Sequence, residues 1–129
     1  NLTTTPESDI DIMIILNKAP KGRFNRFNEY YENVYLKLEE EIKSLLKEGI
    51  NIHISPLIKT KEETEYGSPL FVEMTEACKI LFDRDNYFNC MLDRLREKLK
   101  KYKSVKVPFK GGFYWKLKPD YKKGDIIEL

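Results

Sequence analysis

Ser8-Asp9-Ile10-Asp11-Ile12-Met13-Ile14-Ile15-Leu16 decides how this chain is read. Two carboxylates one residue apart stand at the head of an apolar, β-branched run. β-Branched residues favour strands, where side chains i and i+2 share a face. Asp9 and Asp11 are therefore expected side by side, with Ile10 and Ile12 turned the other way. Beyond the aspartates the run is apolar on both faces, which predicts a strand in the middle of a sheet. Aspartate is disfavoured in strands, and two facing the same way repel unless a cation answers them. Parallel carboxylates on a rigid strand suit a hard divalent cation such as Mg²⁺. The bland alternative is a strand start whose exposed end is merely polar.

Outward from that strand, residues 1–8 read as a polar loop and Asn17–Gly22 as a turn with Pro20 and Gly22 in it. A long helix is predicted over about Arg26–Lys47, with Val34, Leu38, Ile42, Leu45 and Leu46 on one stripe. Gly49 suits its C-terminus. Ile50–Ser55 alternates apolar and polar like a half-exposed strand, which Pro56 ends or edges. Thr60 and Glu63 have the spacing of a capping box, opening a short helix. Pro69 begins another, to Ala77. Lys79–Phe82 is a strand candidate. Asp85 or Asn86 is expected to cap a helix to about Tyr102, with Phe88, Met91, Leu92, Leu95 and Leu99 inward. Val105–Val107 and Phe113–Lys118 around Gly111-Gly112 predict a hairpin. The fold class is α/β or α+β, a mixed sheet with packed helices and a C-terminal hairpin, in one domain over residues 1–129.

The bulk numbers bound the function. A chain of 129 residues is long enough for a real core, and its apolar content is 41%. Charged residues make up 34%, above the roughly 25% typical of soluble proteins. That abundance, Lys and Glu above all, is common in heat-adapted proteins. A net charge of +2 argues against a dedicated nucleic-acid binder with a large basic surface, though not against a local basic cleft. Nucleic acid as a partner is left open. No apolar run approaches the about 20 residues that span a membrane, and no signal peptide is visible. Cys78 and Cys90 match no metal spacing and read as reduced core residues of a cytoplasmic protein. The absence of Met at position 1 and the turn-rich Asn1–Glu7 predict further residues upstream.

Ser8-Asp9-Ile10-Asp11 with its apolar strand resembles the second half of the signature of the polymerase-β-type nucleotidyltransferase superfamily. In that family a Gly-Ser pair opens a helix, a loop follows, and Asp-x-Asp stands on the next strand. Leu81-Phe82-Asp83-Arg84-Asp85, the Arg/Lys/Leu-rich helix after it, and Tyr114-Trp115-Lys116-Leu117-Lys118-Pro119-Asp120 look like the small archaeal proteins of this superfamily. The resemblance is tight at Ser8–Asp11, looser over residues 78–129, and generic between. It implies a nucleotidyltransferase-like fold in which Asp9 and Asp11 bind two Mg²⁺ ions bridging the phosphates of a nucleoside triphosphate such as ATP. Ser8 would neighbour the nucleotide. The implied reaction moves a nucleoside monophosphate to an acceptor hydroxyl. The Gly-Ser pair is expected upstream of the residues given.

The family usually takes a third carboxylate from a later strand. Here the strand over residues 50–58 offers His53 and Ser55 instead. His53 can accept a proton, or it is simply exposed. The gap opens a second reading: a weakly active or inactive nucleotidyltransferase-like partner of a helical protein, of the antitoxin or regulatory type. A nucleotide or metal sensor is a third. Lys18, Lys21, Arg23 and Arg26 could meet phosphates or form a solvated turn. Tyr114 or Trp115 could stack on a base or pack.

Overall fold

A computed structural model describes the backbone over residues 7–129 and side chains from Asp9 onward. The expected loop over residues 1–6 lies outside the described residues. The chain forms two compact units, Asn1–Tyr66 and Gly67–Leu129.

The first unit begins with strand β1, Glu7–Leu16, so the strand takes in Glu7 and Ser8, which the sequence reading assigned to the loop. Helix α1 (Arg23–Tyr30) runs through a π-helical turn (Tyr31–Tyr35) into α2 (Leu36–Lys47). The predicted long helix is therefore present, with one wider turn inside it. Tyr31 and Tyr35 stack across that turn, ring centroids 5.2 Å apart. Tyr30 is buried at its start, and its hydroxyl has no hydrogen-bond partner among the described residues. Burial, then the neighbouring Tyr35, pushes its pKa up.

Strand β2, Asn51–Thr60, runs parallel to β1. A parallel pair needs a crossover connection, and the helical segment supplies it. Half-buried Ile52, Ile54, Pro56 and Ile58 alternate with exposed His53, Ser55 and Leu57. This is the period-two pattern read from the sequence, and α1 and α2 pack against the strand. Pro56 does not end it. Proline is tolerated where its missing N–H faces an unpaired edge, and among the described residues β2 pairs with β1 alone. Among the described residues β1 likewise pairs with β2 alone, where a central strand was expected. Among the described residues the strands form two sheets of two strands each, β1–β2 and a C-terminal hairpin, in place of the expected single mixed sheet. The architecture is α and β mixed, consistent with α+β.

Thr60 caps the short helix α3, Lys61–Thr64. Glu63 N–H donates to Thr60 Oγ1 at 3.1 Å, and Thr60 N–H donates to Glu63 Oε1 at 2.9 Å. The capping box is present as predicted.

The second unit is built on α4 (Pro69–Met74) and α5 (Tyr87–Lys101). Phe71 and Val72 of α4 and Phe88, Leu92, Leu95 and Leu99 of α5 are its buried apolar residues. The last four recur at four- and three-residue steps, one helix face. Phe71 and Phe88 meet edge to face at 6.5 Å.

Lys79–Phe82 forms no strand, and Leu81 and Phe82 are exposed. The cap of α5 also differs from expectation. Asp85 and Asn86 both take positive φ in a short 3₁₀ turn, and neither side chain caps the helix. Asp83 does so instead, its two oxygens accepting from Phe88 N–H and Asn89 N–H, both at 2.9 Å. Cys78 and Cys90 are unpaired, and both are exposed rather than in the core.

The hairpin joins β3 (Val105–Phe109) and β4 (Gly112–Lys116). Its turn is Lys110-Gly111, one residue earlier than expected. Both residues have positive φ, 47° and 79°, the requirement of a type I′ turn, and glycine meets it without strain. The hairpin is tied to α4 by Trp115 Nε1–H, which donates to Glu73 Oε1 at 3.1 Å, and to the turn after it by Lys106 on Glu76 at 2.9 Å.

Candidate functional site

The parallel register places Asp9 opposite His53 and Asp11 opposite Ser55. Strand geometry separates Asp9 and Asp11 by two steps, about 6.6 Å between Cα atoms, on one face. Paired residues in a ladder lie about 4.8 Å apart and share that face. Asp9, Asp11, His53 and Ser55 thus form a four-residue polar block at one end of the β1–β2 sheet, and all four are exposed. Downstream on the same face stand Met13 and Ile15, which are half-buried. Carboxylates at the wet end of an apolar strand are held by backbone pairing, so their spacing does not depend on side-chain packing.

Among the described residues, no lysine or arginine pairs with Asp9 or Asp11. The two carboxylates stand on neighbouring positions of one face, with no ion-pair partner among the described residues. Oxygen donors of this kind fit Mg²⁺, which is commonly bound by one or two carboxylates and completed by water and substrate phosphates. Among the described residues no group of three or more His, Cys, Asp or Glu side chains is arranged to hold a metal ion. Asp9 and Asp11 are the residues that would hold such an ion. The backbone of Ser8 pairs with Ile52, while its side chain lies outside the described residues.

The sequence reading missed what braces this sheet. Arg26, on α1, donates from Nε to the Pro20 carbonyl at 2.7 Å and from Nη1 to the Ile58 carbonyl at 3.1 Å. The same guanidinium grips Glu63 with two bonds, 2.6 and 3.2 Å. One side chain thus joins the loop after β1, the end of β2 and the cap of α3. The Arg26 bond, then the Thr60 N–H, lowers the Glu63 pKa to about 2. Of the four cations after β1, Arg26 is therefore engaged structurally. The capping box was a signal for Glu63. Nothing in the spacing of residues 26 and 63 announced their contact.

The aromatic candidates also separate. Trp115 is held by Glu73, whereas Tyr114 is exposed.

No helix among the described residues is long and apolar enough to cross a membrane. No protein-family model matches the chain, and no solved structure matches it. It is 28% identical over 105 residues to a protein of Methanocaldococcus jannaschii named "Putative protein adenylyltransferase". That alignment takes in 80% of this chain and 65% of the relative, so the chain spans about two-thirds of its relative's length. The likeness covers most of the chain and is consistent with a nucleotidyltransferase-type protein.

Proposed function

We propose that this protein is a Mg²⁺-dependent nucleotidyltransferase of the polymerase-β type, moving a nucleoside monophosphate from ATP to a hydroxyl. The observation that carries the reading is the pair Asp9 and Asp11, side by side on one exposed strand face with no ion-pair partner among the described residues. The name of the archaeal relative supports AMP as the group moved and a protein as acceptor.

In this reading Asp9 and Asp11 would hold two Mg²⁺ ions. Bound Mg²⁺ supplies neutralisation of the triphosphate and polarisation of the α-phosphorus. The acceptor oxygen forms a bond to the α-phosphorus, the bond from that phosphorus to the β-phosphate's bridging oxygen breaks, and pyrophosphate leaves. His53, opposite Asp9 in the register, takes the acceptor's proton in place of the third carboxylate. Ser8 borders the nucleotide. The strand's role is orientation, fixing the carboxylate spacing before substrate arrives.

The test is label transfer from α-labelled ATP with Mg²⁺ to protein in a cell extract. Asp9→Asn and Asp11→Asn should each abolish transfer. His53→Gln should lower kcat and leave KM near its starting value. Transfer undiminished in both aspartate variants would refute the assigned site.

A second reading is favoured by one observation: β2 brings an imidazole and a hydroxyl, not an acid, opposite the pair. A weakly active or inactive domain would then serve as the regulatory or antitoxin partner of a helical protein. Stoichiometric co-purification with such a partner, without label transfer, is its expected signature. A chain recovered free of any partner would count against it.

A further inference from the structure

The modest net charge of +2 conceals a local imbalance. Between Lys98 and Lys123 the chain carries ten lysines and a single acidic residue, Asp120. Six aromatic residues are interleaved with them. The hairpin at the centre of this segment sorts them by face. Lys106, Phe113 and Trp115 lie on one face, where Trp115 and Lys106 bind the carboxylates of Glu73 and Glu76. The opposite face carries Val105, Val107, Phe109, Tyr114 and Lys116.

That second face is open. Phe109 is 56% exposed and Tyr114 46%. Their rings meet edge to face, centroids 5.9 Å apart, so each steadies the other. Lys110 Nζ lies 5.2 Å from the Phe109 ring centre. Among the described residues neither Lys110 nor Lys116 is ion-paired, whereas Lys106 and Lys118 are answered by Glu76 and Asp125. The free positive charges therefore sit beside the free aromatic surface. A soluble protein gains nothing in stability by exposing two such rings. A partner with flat π-faces and a regular row of negative charges complements both features at once. A single-stranded polynucleotide has that chemistry: bases stack on aromatic side chains while phosphates meet lysines.

We propose that the Phe109–Tyr114 face of the hairpin binds single-stranded nucleic acid, with Phe109 and Tyr114 as stacking platforms and Lys110 and Lys116 as phosphate contacts. The proposal is independent of the carboxylate site, because it needs no Mg²⁺ and no nucleoside triphosphate. Its failure and that of the transferase reading are read in separate assays.

The chain contains one tryptophan, Trp115, which lies within the hairpin and serves as the probe. The full chain is titrated with a fluorescein-labelled 12-nucleotide oligouridylate in EDTA, followed by anisotropy and by Trp115 emission. Binding should weaken as salt rises, with a slope near −0.7 for each phosphate engaged. Phe109→Ala or Tyr114→Ala should each weaken it roughly 5- to 150-fold, and Tyr114→Trp should restore it. Where an alanine variant loses the hairpin, seen as changed Trp115 emission without ligand, the charge variants decide. Lys110→Glu with Lys116→Glu leaves the rings in place and should flatten the salt slope by about 1.4. Absence of binding, equal affinity for a blunt duplex of the same length, or binding to phosphatidylserine vesicles but not to the oligonucleotide would each overturn the proposal. So would affinity and salt slope unchanged in the charge variants.

Discussion

Replacing Asp11 by Asn keeps the side chain's size and removes one charge from the pair. The two carboxylates are exposed and stand on Cα atoms about 6.6 Å apart, so their repulsion is of the order of 0.6 kcal/mol in water. Part of it persists in the unfolded chain, making this an upper figure. A domain of this size shifts its midpoint by about 4 °C per kcal/mol. Without metal, Asp11→Asn should therefore melt up to about 2 °C above the unaltered protein. With Mg²⁺ and a non-hydrolysable ATP analogue the order should reverse. Ligand at a hundred times its dissociation constant adds about 2.7 kcal/mol to the native state, and only the protein with both carboxylates should collect it. Scanning calorimetry with and without the ligands reads both effects. A variant destabilised by more than a degree without metal would show that Asp11 is held by the protein itself. A variant stabilised by the ligands as much as the unaltered chain would remove Asp11 from the site. Either result refutes the reasoning.

Three further outcomes follow from the packing. Glu63 has a folded pKa of about 2, held down first by Arg26, against 4.5 as its ordinary value; its stabilising effect is thus fully present above pH 4.5 and lost as pH falls through 2. Glu63→Gln should accordingly melt below the unaltered protein at neutral pH, with the gap closing between pH 4.5 and 2 in melts across that range. Leu92 is 1% exposed, and Leu92→Ala should cost about 2–5 kcal/mol in urea unfolding with little change in the m-value. Asp83→Ala, which leaves the Phe88 and Asn89 N–H groups uncapped, should cost about 0.5–2 kcal/mol while Asp83→Asn recovers most of it. A cap at Asn86 would instead make Asp83→Ala silent and Asn86→Ala costly.

The physics of neighbours along the chain was legible in the sequence. The β-branched run after Asp11 declares a strand, and its period of two puts Asp9 and Asp11 on one face. Thr60 and Glu63 declare their capping box, and Phe88, Leu92, Leu95 and Leu99 declare a helix face that is in fact buried. Gly111 marks the hairpin within one residue. Where local signals competed, the reading slipped. Lys79–Phe82 has strand-like residues but pairs with no strand among the described residues. Asn86 has a capping side chain, but its left-handed backbone left the task to Asp83.

The residue composition and spacing of the chain alone determined the carboxylate pair and the long helix that follows it. Only the tertiary structure decided which groups stand opposite one another. The parallel register set His53 beside Asp9 and Ser55 beside Asp11. Arg26 reached Glu63 across 37 residues of chain. The antiparallel register of the hairpin turned Trp115 toward Glu73 and left Phe109 and Tyr114 open. The physical reason is common to all three. Strand and helix periods fix the face on which a side chain lies, whereas the partner it meets depends on how distant segments pair and pack.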